Sequence, residues 1–384
     1  MNRRNLLSVL FIVATLGLMM AFAFGNNELG NAWEALFTLD PVWVLAAFLG
    51  IVINVAFDTF GLHYFLRKQK HPVSLGAACY VSLVGFYYSN ITPGASGGQP
   101  MQVYYLSKKN VPVPIGTSAL SIKFFAQQVM IVLMATVLWV SNKGFVDTQL
   151  AGVRWMIYIG YALNFASIPL ILLVALHRPL VQAVIVFFVR VGAKLKLIKH
   201  PEDTVLRISA GLDVYHASIL RLAKQPAQII GLLLLAGIST LGLMSVPLSV
   251  YHAFRMSGTP WAQLLTASFL LFISASYTPL PGASGAQEGG FAMFFGGMFK
   301  QGIVGVAILV WRFFTFYLFL LIGAAMSIVN TLRENGRRAR GEKLAANGQP
   351  AAEAQSGDTQ PAETSATEPS PPEPAQPSQT AAEG

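Results

Sequence analysis

The sequence predicts an all-α polytopic membrane protein, and three observations predict it. Of 384 residues, 54% are hydrophobic and only 11% charged, against about 25% charged in an ordinary soluble domain. Six stretches supply the roughly 20 apolar residues that a helix needs to cross hydrocarbon. Two further apolar regions are broken in their middles by nearly the same turn. It reads PGASGGQP from Pro93 and PGASGAQE from Pro281, 188 residues later.

The full-length spans fall at about 6–25, 42–65, 115–140, 155–176, 228–252 and 303–329. The first carries a signal-peptide flavour, with Arg3 and Arg4 before an apolar run. That run continues to Phe24, longer than the usual h-region, so it is expected to be a retained helix. The turn-bearing regions are 73–107 and 261–299. Between the two halves, 178–226 interleaves apolar residues with eight Lys and Arg, as in amphipathic helices lying on a membrane surface. A solvated charged loop is the equal alternative for 196–210. The membrane body is thus expected over 1–332. After it, 333–384 opens with five Lys and Arg and turns, beyond Lys343, into an Ala-, Pro-, Glu- and Gln-rich stretch. Such a tail has too little apolar surface to offset ordering entropy and is expected to be disordered in the cytoplasm.

Loop charge sets the orientation. With the amino terminus in the cytoplasm and 73–107 returning to the side it entered from, twenty Lys and Arg lie inside, four outside and two within spans. If 73–107 crossed completely, the basic 178–224 segment would face outward. The return limb MQVYYL before Lys108 is also too short to cross. Both points favour re-entrant hairpins, with both termini cytoplasmic. The two turns then have opposite orientations. Gln99 and Gln287 keep the 188-residue offset, and Lys123-Phe124-Phe125 meets Arg312-Phe313-Phe314 one residue later. Similar sequence in opposite topology predicts an inverted repeat.

Irregular backbone at membrane depth is tolerated where it is buried in protein or lines a watery cavity. Pro93-Gly94 and Pro281-Gly282 interrupt the helices. Small residues such as Ser96, Gly97, Ser284 and Gly285 let a ligand approach, and a restarted helix presents its amides to an anion. Thr92, Thr278, Gln99 and Gln287 add neutral hydrogen-bonding groups. Close helix crossing through small residues is the plainer alternative. Charges within spans are costly and usually functional. Lys123 and Arg312 are candidates to hold a phosphate together, and Glu288 to meet an amine or a proton. Asp58 is a weaker candidate, and His63 reads as interfacial. Internal pairing, for example Arg312 with Glu288, is the structural alternative. The lone Cys79 excludes an intrachain disulfide and reads as a packed thiol. No Walker loop, paired-histidine metal motif or nucleophile elbow stands in the chain, so no catalytic residue, metal or cofactor is assigned. The positive charge is placed for a membrane, not for nucleic acid.

SNITPGASGGQPMQVYYL, PLPGASGAQEGGFAMFF and WRFFTFYLFLLIG together resemble the membrane domain of the lysylphosphatidylglycerol synthase/flippase family, the bacterial multiple peptide resistance factor. The resemblance covers about 5–332. It implies a bacterial inner-membrane protein that moves phosphatidylglycerol or its aminoacyl form between leaflets and so lowers sensitivity to cationic antimicrobial peptides. It also implies a phosphatidylglycerol lysyltransferase, using lysyl-tRNA, in a separate soluble domain. Only the polar tail follows the last span here, so catalysis by this chain alone is not expected. Implied partners are membrane phospholipids, a separately encoded synthase, for which this chain would be an accessory, and a second copy of the chain.

Overall fold

The computed structural model describes residue 17 and residues 34–194, 201–300 and 302–329. The expected first span, 6–25, and the tail 333–384 lie outside the described residues. The described residues fall in a compact unit reaching Ala325 and a second unit that starts at Met326. Among them, every regular element is a helix.

Helix α1 (Pro41–Lys68) starts where Asp40 accepts a hydrogen bond from the Val42 amide at 2.9 Å, with Pro41 in the first turn. A hairpin follows, of α2 (Leu75–Ile91), the Pro93 turn and α3 (Gly98–Ser107). Ser74 caps α2 by accepting from the Ala77 amide. Helix α4 (Val113–Ser141) completes the first half. After a short helix at Lys143–Gln149 come α5 (Arg154–Leu176), α6 (Arg178–Lys194) and α7 (Pro201–Ala223). The order helix, hairpin, helix then recurs. Helix α8 (Pro226–Ala253) begins 185 residues after α1 and has the same 28 residues. The second hairpin is α9 (Trp261–Ala275), the Pro281 turn and α10 (Ala286–Phe295). The last span, α11, runs Val304–Val329 and contains one π-helical segment, Phe313–Tyr317.

Five helices among the described residues are long and apolar enough to cross a membrane: α1, α4, α5 with its preceding turn, α8 and α11. At 1.5 Å per residue, α3 and α10 with ten residues each reach only about 15 Å, half of the hydrocarbon thickness. Neither second limb can cross alone. The loop alternative for 196–210 is corrected from Pro201 onward, where α7 has already begun. Pro201 opens that helix and Glu202 and Asp203 complement its positive end. Residues 195–200 lie outside the described set.

Helices α1 and α8 form the axis of the packing. They run antiparallel: Trp43 stacks on His252 at one end and Gly231 lies near the Tyr64 ring at the other. Their crossing is backbone on backbone. A Cβ on Gly50 would lie 2.7 Å from the Gly242 carbonyl, and one on Gly242 would lie 2.6 Å from that of Gly50. One turn away, Asn54 donates to the Ser239 carbonyl at 3.0 Å, and the Ser239 hydroxyl donates back to the Asn54 carbonyl at 2.9 Å. In lipid, such close van der Waals packing and interhelical hydrogen bonds replace the hydrophobic drive between helices.

The hairpins pack on this axis differently. Around the first, Leu62, Phe65, Val81, Leu106, Ile115 and Leu232 form a mainly aliphatic core. Around the second the core is aromatic. Phe291 stacks on Phe295 at 4.6 Å and on Trp311 at 4.9 Å, with Phe294 and Phe299 buried beside them. Each hairpin also leans on the closing helix of the other half. Phe86 of α2 meets Phe319 of α11 at 4.8 Å, and Thr266 of α9 donates to the Leu138 carbonyl of α4.

Candidate functional site

The two turns lie side by side, and the second also packs on α2. Their opening steps have one conformation. Gly94 (φ 57°, ψ 27°) matches Gly282 (φ 58°, ψ 18°), and the next residues, Ala95 and Ala283, also hold positive φ, at 56° and 50°. Glycine adopts this region freely and alanine does not. The same strained alanine at matched positions marks a backbone held by its surroundings, and such outliers cluster at functional sites.

The turns then diverge. In the first, the Thr92 hydroxyl donates to the Tyr88 carbonyl at 2.6 Å and accepts from the Gly97 amide at 2.9 Å, a neutral cap inside the turn. Pro93, Gly94, Ala95, Ser96 and Gln99 are exposed. In the second, Gly285 takes φ 85°, and its amide donates to Glu288 Oε2 at 2.6 Å. The Ser284 hydroxyl donates to the Pro281 carbonyl at 2.9 Å. Thr278 is half-buried at the entry, while Gln287 and Glu288 are buried. The matched glutamines therefore occupy different environments.

Arg312 reaches the second turn from α11. Its Nε lies 2.8 Å from Glu288 Oε1, at ion-pair distance but off the hydrogen-bond line. Its Nη1 donates to the Gly282 carbonyl at 3.2 Å, and Nη2 is buried without a partner. Both side chains are only 5% exposed. The guanidinium lies 5.1 Å from the Trp311 ring centroid and 5.5 Å from that of Phe316. Phe316 sits in the π-helical segment that follows Arg312, a distortion often found at functional sites. Its ring covers Gly282 so closely that a Cβ there would lie 2.2 Å from Cε2.

Lys123 sits elsewhere. Its ammonium pairs with Asp58 at 2.9 Å, in a cleft lined by Phe57, Gly61, Gln127, Leu232 and Ser239. The two cations expected to hold one phosphate together thus each have a carboxylate of their own. The internal pairing of Arg312 with Glu288, open in the sequence, is the arrangement found. His63 ties the end of α1 to the loop, its Nδ1 lying 2.9 Å from the Val73 carbonyl. Cys79 is half-buried.

One polar group escaped the sequence reading. Asn164 of α5 donates to the Ile273 carbonyl at 3.1 Å, near the end of α9, and accepts from Gln128 of α4 at 2.7 Å. Gly160, one turn earlier, lets α5 approach Ile273 and Ser274 directly. This group anchors the limb that leads into the second turn. An uncharged amide inside an apolar span was its available signal.

Residues 5–323 match the family described as Lysylphosphatidylglycerol synthase TM region. The chain belongs to that family. No curated protein and no solved structure matches it. It is a multi-pass membrane protein of the lysylphosphatidylglycerol synthase transmembrane family.

Proposed function

We propose that this chain is a lipid translocase of the flippase type, with its head-group site at the paired turns. One observation carries the reading: two like turns lie side by side in an apolar helical chain, beside a buried arginine that keeps an unpartnered donor. The hairpins are re-entrant and belong to an inverted repeat. In support, α1 and α8 share length and spacing and cross antiparallel, as equivalent helices of opposite topology do. Arg312 and the Gly285 amide hold the phosphate, and Thr92, Ser96, Gln99 and Gln287 line the approach. Lys123 and Asp58 serve a second polar station along the path. The acyl chains remain in lipid. Phosphatidylglycerol and its lysyl form are the substrates that the family description favours. The chain resides in a bacterial inner membrane with both termini cytoplasmic, as the loop charges favour.

Lipid scrambling by the purified chain in liposomes tests this, with labelled phosphatidylglycerol and its lysyl form. Wild type should move at least one of them, and Arg312→Ala and Gln287→Ala should slow that movement. A wild type that moves neither lipid overturns the reading for these substrates and favours an accessory role beside a synthase. The word synthase in the family description supports a second reading, lysyl transfer from lysyl-tRNA. Lysyl-lipid made by the purified chain would establish that instead.

A further inference from the structure

The second turn already holds an anion, and it is the chain's own. The Glu288 carboxylate accepts from the Gly285 amide and ion-pairs with the Arg312 guanidinium, the two groups that a phosphate would use there. The pair is neutral and buried. A phosphodiester entering this site would place two negative charges against one guanidinium, in surroundings where an uncompensated charge is expensive. Two anions that share one buried cation leave one negative charge uncompensated.

We propose that an anionic phosphodiester head group binds the second turn together with a proton, which Glu288 takes up. This rests on the head-group reading of the turns and adds the charge accounting to it. The phosphate displaces the carboxylate from Arg312 and Gly285, a proton from solvent neutralises the displaced carboxyl, and the site returns to zero net charge. No covalent bond changes. The buried, unpartnered Nη2 of Arg312 is a donor that Glu288 leaves unused, and a tetrahedral phosphate oxygen can engage it.

Other ionisable groups around the turn are few. Within α10 Glu288 is the only acid or base, and α9 has none. Helix α11 supplies Arg312 and Tyr317, and α2 supplies Cys79, Tyr80, Tyr87 and Tyr88. The first turn contributes none, and the segment that joins α9 to the second turn contributes Tyr277. Among the described residues, Arg312 is the cation within ion-pair distance of Glu288, and Glu288 is the carboxylate these elements offer to a proton.

The test is calorimetric titration of short-chain phosphatidylglycerol into the purified full chain, in buffers of differing ionisation enthalpy. Wild type should take up about one proton per lipid bound. Glu288→Gln should bind with about none, and Arg312→Ala should lose binding. Binding that needs Arg312 but takes up no proton overturns this inference and leaves the head-group reading standing. Binding unchanged by Arg312→Ala overturns both. Should Glu288→Gln not stay monodisperse, the wild-type proton count decides alone.

Discussion

The first and second turns share the residues PGASG and the same left-handed glycine and alanine, yet they are held in different ways. A threonine hydroxyl closes the first from within. A carboxylate and a guanidinium from another helix hold the second. The first is exposed and framed by aliphatic packing, and the second is half-buried beneath aromatic rings. Sequence identity over five residues therefore fixes the backbone only through the alanine, since Ser96 (ψ -23°) and Ser284 (ψ 142°) already part, and it fixes no electrostatic role. That role comes from Glu288, which stands where the first turn has Pro100, and from Arg312.

Substitutions at matched positions should pull the two turns further apart. The largest effect is expected from Glu288→Ala, which strands a buried guanidinium and should cost about 3–5 kcal/mol in a detergent unfolding titration. Gly282→Ala comes next. At the open Gly94, alanine meets only the positive φ, about 1–2 kcal/mol. At Gly282 the Phe316 ring must also move, so its melting temperature should fall further than that of Gly94→Ala. Equal losses at the two glycines would contradict the packing asymmetry.

Asn164→Leu leaves the Gln128 amide and the Ile273 carbonyl without this partner, on the order of 2 kcal/mol. Hydrogen exchange should then quicken in α9 and not in α2. Faster exchange in α2 alone would sever the link between Asn164 and the second hairpin. The smallest effect is expected from Thr92→Val, the loss of a neutral cap, about 1 kcal/mol, read by the same unfolding titration.

Much of this architecture was legible in the sequence because its signals are local. Span length, loop charge and a turn written twice need no knowledge of contacts, and α1, α4, α5, α8 and α11 fall where apolar runs predict them. The start of α7 was legible too, from Pro201, Glu202 and Asp203, but the lysines beside it read equally well as a loop. Partnerships were harder. Lys123 and Asp58 are 65 residues apart, and Asn164 and Ile273 are 109 apart. Nothing along the chain says which carboxylate a given cation meets. Charged residues in spans stand out along the chain because burial is costly for them. Gln128 and Asn164 pay less and hid among apolar neighbours. The Gly50 and Gly242 crossing hid in the same way, since a glycine within a span does not name the helix it admits.

In the proposed translocase both turns serve one head group. A phosphatidylglycerol carrying a photoactivatable head group, crosslinked to the wild-type chain in liposomes and mapped by mass spectrometry, tests it most directly. The account predicts labels in both 92–99 and 278–288, with both lost in Arg312→Ala. Labels confined to the cleft beside Asp58 and Lys123, or to the first turn alone and indifferent to Arg312, would contradict it.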